Sequence, residues 1–290
     1  MNFSREEIIK RADIIVEALP YISRYSGKTV VIKYGGNAMN NPDVLRTILQ
    51  DVATLKIVGV NPVLVHGGGP EINAMLQRLG IKSEFINGMR VTDKDAMDVV
   101  QMVLCGKINK RITAALNTMG VKAAGLSGGD GGLIEVEKLP VKDGVDYGYV
   151  GKIVKINTRV LESLLSEFIP VIATVGVDKD GAVYNVNADV AAGAIGGALE
   201  AERLMFLTDV DGIRADEKDP ASLIPQISVG EIQKMIKSGA VTGGMLPKVA
   251  SCIDALNEGI KNVLIINGAI PHSILLELFT DSGIGTLVTK

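Results

Sequence analysis

Runs of apolar residues alternate with amphipathic stretches along most of this 290-residue chain. Short runs that are apolar at nearly every position are typical of strands buried on both faces of a sheet. Stretches whose apolar residues recur every three or four positions predict helices that cover such strands. The predicted strands are 29–33, NPVLVH, VKAAGL, 169–175, LMFLT, NVLII and GTLV.

Helices are predicted between most of these strands. The first, 5–19, ends at Pro20, and a long helical stretch runs to about Asn117 from an N-cap at Thr92, with Asp95 three residues further on. The remaining predicted helices are about 42–58, 71–79, 158–167, 188–199, 228–237, 245–258 and one opened by Pro271.

The alternation of strands and helices predicts an α/β fold, a three-layer αβα sandwich with a central, mainly parallel open sheet. Residues 133–137 and 148–156 predict strands of a hairpin-rich insert, and DKDG at 178–181 predicts a turn between two short extended pieces. The character of the sequence changes near Gly176, where we expect a boundary between two lobes.

The first helix has one apolar face, formed by Ile8, Ala12, Ile15, Val16 and Leu19. It precedes the first strand and lies outside the sheet core, so something must cover that face. The helix either folds back on its own lobe or pairs with the same helix of another subunit.

Composition narrows the class of protein. Hydrophobic residues make up 47% of the chain but aromatic residues only 4%, which predicts an aliphatic core. The net charge of −3, without a basic block, argues against nucleic acid as a partner. The longest small-apolar run, 190–199, is too short to cross a membrane, and the acidic N-terminus does not resemble a signal peptide. Cys105 and Cys252 fit two buried thiols in a reducing cytoplasm.

Two glycine turns follow predicted strands directly. In VIKYGGNAM the lysine, Lys33, precedes the glycines, whereas a phosphate-binding loop of the form G-x-x-x-x-G-K-[ST] has it afterwards and does not occur here. Glycine lets backbone N–H groups approach an anion, and the helix that follows adds its positive end. The glycines expected to line one anionic site are Gly35, Gly36, Gly67, Gly68 and Gly69. Sharp strand-to-helix turns are the structural alternative.

Two lysines occupy unfavourable positions near these turns. Lys33 ends a buried strand, and Lys248, in GGMLPK, opens a helix, where the dipole mildly disfavours a cation. A bound polyphosphate would supply the missing partner, although either lysine alone could extend to solvent. Asp189, in NVNAD, could set the spacing of the two lysines or cap the helix that follows.

Arg90, in NGMRVTD, has no acidic residue close before it in the sequence. An arginine in such a loop suits bidentate binding of a carboxylate. A surface salt bridge to Asp93 is an equally good local interpretation.

A serine esterase is the rival interpretation. HGGG resembles an esterase oxyanion loop, and GLSGG at 125–129 matches G-x-S-x-G, with Ser127 as nucleophile and His272 as base. A nucleophile elbow needs a helix after the serine, and here a loop and a strand follow. With only two histidines, the chain better suits a carboxylate nucleophile, which is ionised at neutral pH and needs no base to attack the γ-phosphate of ATP.

The motifs VIKYGGNAM, VHGGGPEIN, NGMRVTD, NVNAD, LTDVDGI and GGMLPKV together resemble the amino-acid kinase family in order and spacing, from about residue 21 to the C-terminus. KYGG or HGGGP alone would fit members acting on carbamate, aspartate, glutamate or uridylate. NGMRVTD with NVNAD indicates a member that acts on N-acetyl-L-glutamate. A non-catalytic nucleotide-binding sensor remains a separate hypothesis.

The resemblance implies ATP-dependent phosphorylation of the side-chain carboxylate of N-acetyl-L-glutamate, the second step of arginine biosynthesis, with Mg²⁺ accompanying ATP. It implies that Lys33 and Lys248 stabilise the transition state and that Asp189 orients both. The residues implied to bind the acceptor are Gly36, Gly68, Gly69, Arg90 and Asn185. Those implied to bind ATP are Gly35, Thr208, Asp209, Val210, Asp211, Gly212, Ile213, Val241 and Thr242.

The N-terminal helix and the tail HSILLELFTDSGIG resemble the arginine-inhibited branch of the family. This implies L-arginine as an inhibitor, bound by Tyr21, Glu277 and Gly283, and a homohexamer built as a trimer of dimers. The implied division is 1–27 for oligomerisation and regulation, 28–176 for acetylglutamate and 177–290 for ATP. We expect a cytoplasmic enzyme with no membrane or nucleic-acid partner.

Overall fold

A computed structural model describes residues 4–36, 41–86, 88–141, 144–216 and 218–290, without the side chains of Ile8, Arg11 and Pro220. Positions 37–39 of VIKYGGNAM, position 87 of NGMRVTD and the Ile8 side chain of the first helical face therefore lie outside the described residues. Within them, no helix is both long and apolar enough to cross a membrane.

The predicted strands are present in the predicted order, and three short strands, 84–86, 89–91 and 226–228, were not predicted. The strands are β1 (Thr29–Tyr34), β2 (Asn61–His66), β3 (Glu84–Ile86), β4 (Met89–Val91), β5 (Lys122–Ser127), β6 (Ile134–Lys138), β7 (Gly151–Ile156), β8 (Phe168–Ala173), β9 (Val175–Val177), β10 (Val183–Asn185), β11 (Arg203–Thr208), β12 (Gln226–Ser228), β13 (Val263–Asn267) and β14 (Thr286–Thr289).

The α-helices of the described chain are α1 (Arg5–Tyr25), α2 (Pro42–Ile57), α3 (Gly69–Leu79), α4 (Lys94–Gln101), α5 (Asn109–Thr118), α6 (Arg159–Leu165), α7 (Ala188–Ala198), α8 (Val229–Ser238), α9 (Met245–Asn257) and α10 (Ser273–Phe279). A π-helix, Met102–Ile108, joins α4 to α5.

In the described part of the chain, the central sheet has eight strands in the order β12-β14-β13-β11-β1-β2-β8-β5. The six strands from β13 to β5 run parallel, whereas β14 pairs antiparallel with β13 and β12 runs with β14. Alternate strand residues enter two separate cores: Ile32 and Leu64 pack on one face, Val31 and Val63 on the other. The predicted αβα class with a mainly parallel sheet is confirmed.

The predicted insert forms a second sheet, β10-β9-β6-β7, in which β6 pairs antiparallel with β7 and parallel with β9. Gly176, where the sequence changes character, lies inside β9. A Cβ there would come within 3.2 Å of Val186 Cγ2 and closer still to Val136 Cγ1, so glycine is needed for the packing of this sheet.

The prediction that the first helix ends at Pro20 is wrong, because α1 continues to Tyr25. Proline inside a helix removes one hydrogen bond and crowds the carbonyl four residues earlier. The last turn compensates by placing Tyr25 in the core, where its hydroxyl lies 3.2 Å from Arg203 Nε. The helix starts with a capping box between Ser4 and Glu7.

The predicted N-cap at Thr92 is also wrong. Asp93 caps α4 by accepting a hydrogen bond from the N–H of Ala96, at 2.8 Å. Thr92 is fully buried instead, and its hydroxyl donates to the carbonyl of Arg90 at 3.0 Å. The cap lies one residue later because the buried Thr92 hydroxyl is engaged with the Arg90 carbonyl.

Candidate active site

The candidate site lies at the carboxyl edge of the sheet, where the parallel strands β1, β2 and β11 end together. The strand β1 is the point at which strand order reverses, since the chain goes next to β2 on one side and returns later to β11 on the other. Ligands of open parallel sheets bind in the crevice at such a point. Three neighbouring cavities at this edge, as the described residues line them, form the candidate site.

The central cavity has a volume of about 180 Å³ and brings together both predicted lysines and both glycines of the first turn. Lys33 reaches it from the end of β1, and Lys248 from the first turn of α9. The residues lining it are Lys33, Gly35, Gly36, Asp189, Phe206, Leu207, Thr208, Asp209, Lys248, Ser251 and Ile265.

Each lysine in this cavity is paired with its own aspartate. Lys33 Nζ lies 2.8 Å from Asp189 Oδ1, an ion pair without good hydrogen-bond geometry, while Lys248 Nζ lies 2.8 Å from Asp209 Oδ1. In this structure Asp209, not Asp189, holds Lys248, and the expectation that Asp189 orients both lysines stays a prediction. Asp189 is also not the cap of α7, since Asn187 accepts from the first helical N–H groups.

Glycine at position 35 is explained by space. A Cβ there would lie 3.3 Å from both Cε and Nζ of Lys33, tighter than ordinary contact. Gly36 adopts a positive φ of 70°, which favours glycine. The first turn therefore lets the Lys33 side chain lie against the backbone inside the cavity.

A larger cavity of about 470 Å³ adjoins the first and shares Asp209 and Lys248 with it. All the residues expected to bind ATP line one of these two cavities, Gly35 and Thr208 the central one and Asp209–Ile213, Val241 and Thr242 the larger one. A hydrogen bond from Asn267 at 2.9 Å and an ion pair with Arg214 at 2.8 Å lower the pKa of Asp211.

The third cavity, of about 170 Å³, lies beside the second glycine turn. Four of the five residues expected to bind the acceptor line it, namely Gly68, Gly69, Arg90 and Asn185, whereas Gly36 faces the central cavity. Ala188 lines this cavity and Asp189 the central one, so the start of α7 separates the two.

Arg90 is a buried cation, 6% exposed, in β4. Its guanidinium donates to Asn73 Oδ1 at 2.6 Å and to the Ser83 hydroxyl, and it lies 4.5 Å from the centre of the Phe85 ring. Burial lowers the pKa of the guanidinium. No carboxylate of the described chain pairs with it, so the alternative of a salt bridge to Asp93 is wrong. A buried unpaired cation facing a cavity favours an anionic ligand.

Two further contacts shape the acceptor cavity. The amide of Asn185 lies 3.4 Å from the Thr92 hydroxyl, which links β10 to the residue after β4. Glu71, in the first turn of α3, forms ion pairs with Lys107 at 2.8 Å and Arg111 at 2.6 Å. Burial opposes ionisation of Glu71, but the hydrogen bonds from both cations lower its pKa overall. Lys107 and Arg111 therefore offset the negative charge of Glu71 close to the second glycine turn.

The esterase interpretation finds no support in the geometry. The Ser127 hydroxyl donates to Asp130 Oδ2 at 2.8 Å, and β5 leads into a short 3₁₀-turn rather than a covering helix. His272 Nδ1 lies 2.7 Å from Asp51, and the His66 ring is bound to Gly67 and Asn109. Neither histidine contacts Ser127 in the described structure.

The three residues expected to bind arginine lie where α1 meets the C-terminal segment. The Tyr21 hydroxyl donates to Asp281. The Glu277 carboxylate accepts from the N–H groups of Ile284, at 2.7 Å, and Gly285, at 3.0 Å. It also lies close beside Gly283, whose φ is 57°.

Several residues that shape the site were not predicted from the sequence. Asn73 and Ser83 orient Arg90, Asn187 caps α7, and Asn267 holds Asp211. Asn267 had a recognisable signal, because it is a polar residue directly after a buried strand. Asn73 and Ser83 had none, since only the folded chain brings them to Arg90.

The described chain contains no group of three or more His, Cys, Asp or Glu placed to hold a metal. Two carboxylates, Asp189 and Asp209, line the central cavity. This donor set fits Mg²⁺, which binds through one or two carboxylates, several waters and substrate phosphates.

Comparisons with known proteins identify the family of this chain. The model of the Amino acid kinase family matches residues 28–267, and the chain belongs to that family. The chain is 52% identical over 287 residues to the acetylglutamate kinase of Caldicellulosiruptor saccharolyticus, covering 98% of both proteins. It is also 52% identical over 291 residues to the acetylglutamate kinase of Heliobacterium modesticaldum, covering 97% of this chain and 99% of that one.

Solved structures show the same fold. An N-acetylglutamate synthase from Neisseria gonorrhoeae, complexed with coenzyme A and N-acetyl-glutamate, is similar with a TM-score of 0.85 and 29% identity. The match covers 96% of this chain but 63% of that one, so the present chain spans less than two thirds of its length. A carbamate kinase from Giardia lamblia bound to AMP-PNP has a TM-score of 0.64 at 20% identity, covering 92% of this chain and 99% of that one, and supports the fold alone.

Proposed function

We propose that this protein uses ATP to phosphorylate the side-chain carboxylate of N-acetyl-L-glutamate, giving N-acetylglutamyl 5-phosphate, the second step of arginine biosynthesis. The observation that carries the proposal is the row of three cavities along one sheet edge, two of them joined by Lys248 and Asp209. A large cavity suits a nucleotide, a small one with two lysines suits the phosphoryl group, and one with a buried arginine suits an anionic acceptor. The relatives named acetylglutamate kinase support the same acceptor.

The chemistry needs little besides positioning and positive charge. An oxygen of the acceptor carboxylate attacks the γ-phosphorus, the bond to the β,γ-bridging oxygen breaks, and ADP leaves with its electron pair. Lys33 and Lys248 meet the charge on the transferring group from two sides, and Asp189 and Asp209 fix the directions of their ammonium groups. The carboxylate is already ionised at neutral pH, so no general base is required.

The acceptor would lie in the cavity between the second glycine turn and Arg90. The backbone N–H groups of Gly68 and Gly69 would receive the reacting carboxylate, as would that of Gly36 from the first turn. Arg90 and Asn185 would bind the other end of the molecule. Mg²⁺ bound with the nucleotide, near Asp189 and Asp209, would neutralise charge on the phosphate oxygens.

ATP would lie in the large cavity, against the loop Asp209–Ile213 and residues Val241 and Thr242, with Gly35 and Thr208 at its phosphate end. The division of labour between lobes 28–176 and 177–290 is part of the proposal. Its support is that the acceptor cavity is built mainly from the first lobe and the large cavity from the second. Because the reaction consumes ATP, we propose the cytoplasm as its location.

The test is ADP release with N-acetylglutamate, glutamate, aspartate and UMP as acceptors, with hydroxylamine present to trap the acyl phosphate as a hydroxamate. We expect turnover and hydroxamate with N-acetylglutamate, and Ser127→Ala should keep both. Turnover with another acceptor instead would assign the chain to a different activity of the family. Nucleotide binding without ADP release from any acceptor would indicate a sensor.

We also propose that α1 joins dimers into a hexamer, a trimer of dimers, and that L-arginine inhibits by binding between α1 and the C-terminal segment. The support is that the apolar face of α1 is not covered by its own lobe: Ile15 is 63%, Val16 61% and Leu19 52% exposed. Pairing with the same helix of another subunit would cover it symmetrically. Glu277 lies beside Gly283, and Tyr21 bonds to Asp281 in the same C-terminal segment, which supports an effector site there.

A protein beginning at Ser26 tests this second proposal. It should stay an active kinase, run as a dimer on a sizing column and lose most of its arginine sensitivity. Glu277→Ala in the full chain is the matched variant and should weaken inhibition while keeping the hexamer. A shortened protein that is still hexameric and fully inhibited would contradict both roles of α1.

A further inference from the structure

His66, the last residue of β2, is fully buried directly beneath the second glycine turn. Its Nδ1 lies 3.0 Å from the carbonyl oxygen of Gly67, and its Nε2 lies 3.2 Å from Asn109 Nδ2. A carbonyl oxygen can only accept, so Nδ1 carries the proton. An amide nitrogen can only donate, so Nε2 is the acceptor. The contacts thus select the neutral Nδ1–H tautomer.

The orientation of the Asn109 amide is itself fixed by its surroundings. Asn109 Nδ2 lies 2.8 Å from the carbonyl oxygen of Val171 and 3.2 Å from that of Leu126. A reversed amide would direct its oxygen at both carbonyls and leave buried acceptors facing each other. Asn109 therefore turns its NH₂ group, whose two hydrogens are shared among three acceptors, towards His66. Burial lowers the pKa of His66 to about 4, in agreement with a ring that stays neutral.

The hydrogen bond from His66 sets the direction of one peptide group. In a trans peptide the C=O of Gly67 and the N–H of Gly68 point in opposite directions. When the buried ring holds the Gly67 carbonyl inward, the Gly68 N–H must point outward, towards the cavity lined by Gly67, Gly68 and Arg90. Within the described residues, that N–H has no hydrogen-bond acceptor of its own.

The π-helix explains how one segment reaches both the ring and the turn. Its wider turn closes with the Asn109 N–H bonding to the Leu104 carbonyl, five residues back. A Cβ at Gly68 would lie 2.6 Å from Leu104 Cδ2 and closer to Ile108 Cδ1, so both side chains press on the turn. Asn109, the next residue, then reaches His66. π-Turns of this kind occur frequently at functional sites.

We propose that His66 and Asn109 are positioning residues that aim the Gly68 N–H at the acceptor carboxylate. This inference rests on the proposed function for the identity of the acceptor. His66 does not exchange a proton with substrate, because both ring nitrogens are occupied by protein partners. Its role is to fix the peptide that contacts the substrate.

The tautomer gives a test that does not depend on activity. The chain has two histidines, so a nitrogen-15 NMR spectrum of histidine-labelled protein contains two rings, and His272→Asn assigns them. We expect His66 to remain the Nδ1–H tautomer from about pH 5.5 to 8, a range in which an unperturbed histidine titrates. An Nε2–H tautomer, or an imidazolium in that range, would overturn the proposal.

Kinetics supply the second readout. His66→Leu removes the donor, whereas the amide of His66→Asn can take the place of Nδ1. We expect His66→Leu to raise the KM for N-acetylglutamate about tenfold or more, with little change in the KM for ATP, and His66→Asn to recover most of the loss. Asn109→Ala should move the acceptor KM in the same direction. The pH dependence of kcat/KM should keep its shape in all three variants.

Leu116→Ala is the matched control for damage to the core, because Leu116 is buried in α5 about two turns beyond Asn109. It should lower the melting temperature and leave the acceptor KM unchanged. An unchanged acceptor KM in folded His66→Leu, or no recovery in His66→Asn, would overturn the inference while the proposed function stands. If the wild-type protein forms no hydroxamate, the proposed function fails, and the NMR spectrum still decides the geometry.

Discussion

Replacing Arg90 by lysine isolates the geometry of the acceptor site from its charge. The guanidinium has five N–H donors, of which Asn73 and Ser83 each receive one, leaving three for a carboxylate. Lysine keeps the positive charge, but its ammonium group cannot donate to Asn73, to Ser83 and to both oxygens of a carboxylate at once. Arg90→Lys should therefore lose the equivalent of one hydrogen bond to a charged group, about 1.5–3 kcal/mol.

That loss corresponds to roughly a 10- to 150-fold increase in the KM for N-acetylglutamate. Arg90 is proposed to bind the end of the substrate remote from the reacting carboxylate, so the interaction is the same in ground and transition states. Hence kcat should fall only a few-fold and the KM for ATP should not move. The assay is ADP release coupled to NADH oxidation, with each substrate varied at saturating levels of the other.

Arg78→Lys is the matched control, since it makes the same change at an exposed position near the end of α3. This variant should have the same kcat, KM for N-acetylglutamate and KM for ATP as the wild type. Circular dichroism and the melting temperature establish that the Arg90 variant is folded. An acceptor KM within twofold of wild type in folded Arg90→Lys would refute the carboxylate-binding role.

Three further predictions concern the lysines, the glycine turn and acidic pH. Lys33→Met and Lys248→Met should each lower kcat about 10²–10³-fold with a much smaller change in the KM for ATP, and steady-state kinetics that show the opposite split would contradict a transition-state role. Gly68→Ala should destabilise the fold by about 1–3 kcal/mol in urea unfolding, because its Cβ would overlap Leu104 and Ile108 side chains, and should raise the acceptor KM. His66 has a folded-state pKa of about 4, below its ordinary value of 6.5, so its contribution to stability is complete above 6.5 and is lost as pH falls towards 4. The loss amounts to about 3 kcal/mol, and urea unfolding of His66→Asn should show an acid dependence weaker by about that amount.

The fold could be predicted because its determinants are local. Continuously apolar strands and amphipathic helices specify a parallel sheet covered on both faces, whichever contacts form later. The errors fall where tertiary packing overrides a local rule. Pro20 lies inside α1, whose last turn places Tyr25 in the core, and the cap lies at Asp93 because the buried Thr92 hydroxyl donates to the Arg90 carbonyl.

The main residues of the candidate site could be predicted from the sequence, but the contacts between them could not. The glycine turns and the two lysines are recognisable as residues at unfavourable positions after strands. The separate pairing of Lys248 with Asp209 was missed, because it joins two segments whose approach depends on how α9 packs. The same holds for His66 and Asn109, which meet directly after the π-helix that interrupts the long helix.

The central claim is that a carboxylate oxygen of N-acetylglutamate attacks the γ-phosphorus of ATP. Phosphorus-31 NMR of a reaction with acceptor whose side-chain carboxylate carries oxygen-18 tests it directly. The account predicts an acyl-phosphate resonance shifted by a bridging oxygen-18, with a matching amount of unlabelled ADP. ADP formation with no acyl-phosphate signal, or a phosphorylated product without the isotope shift, would contradict it.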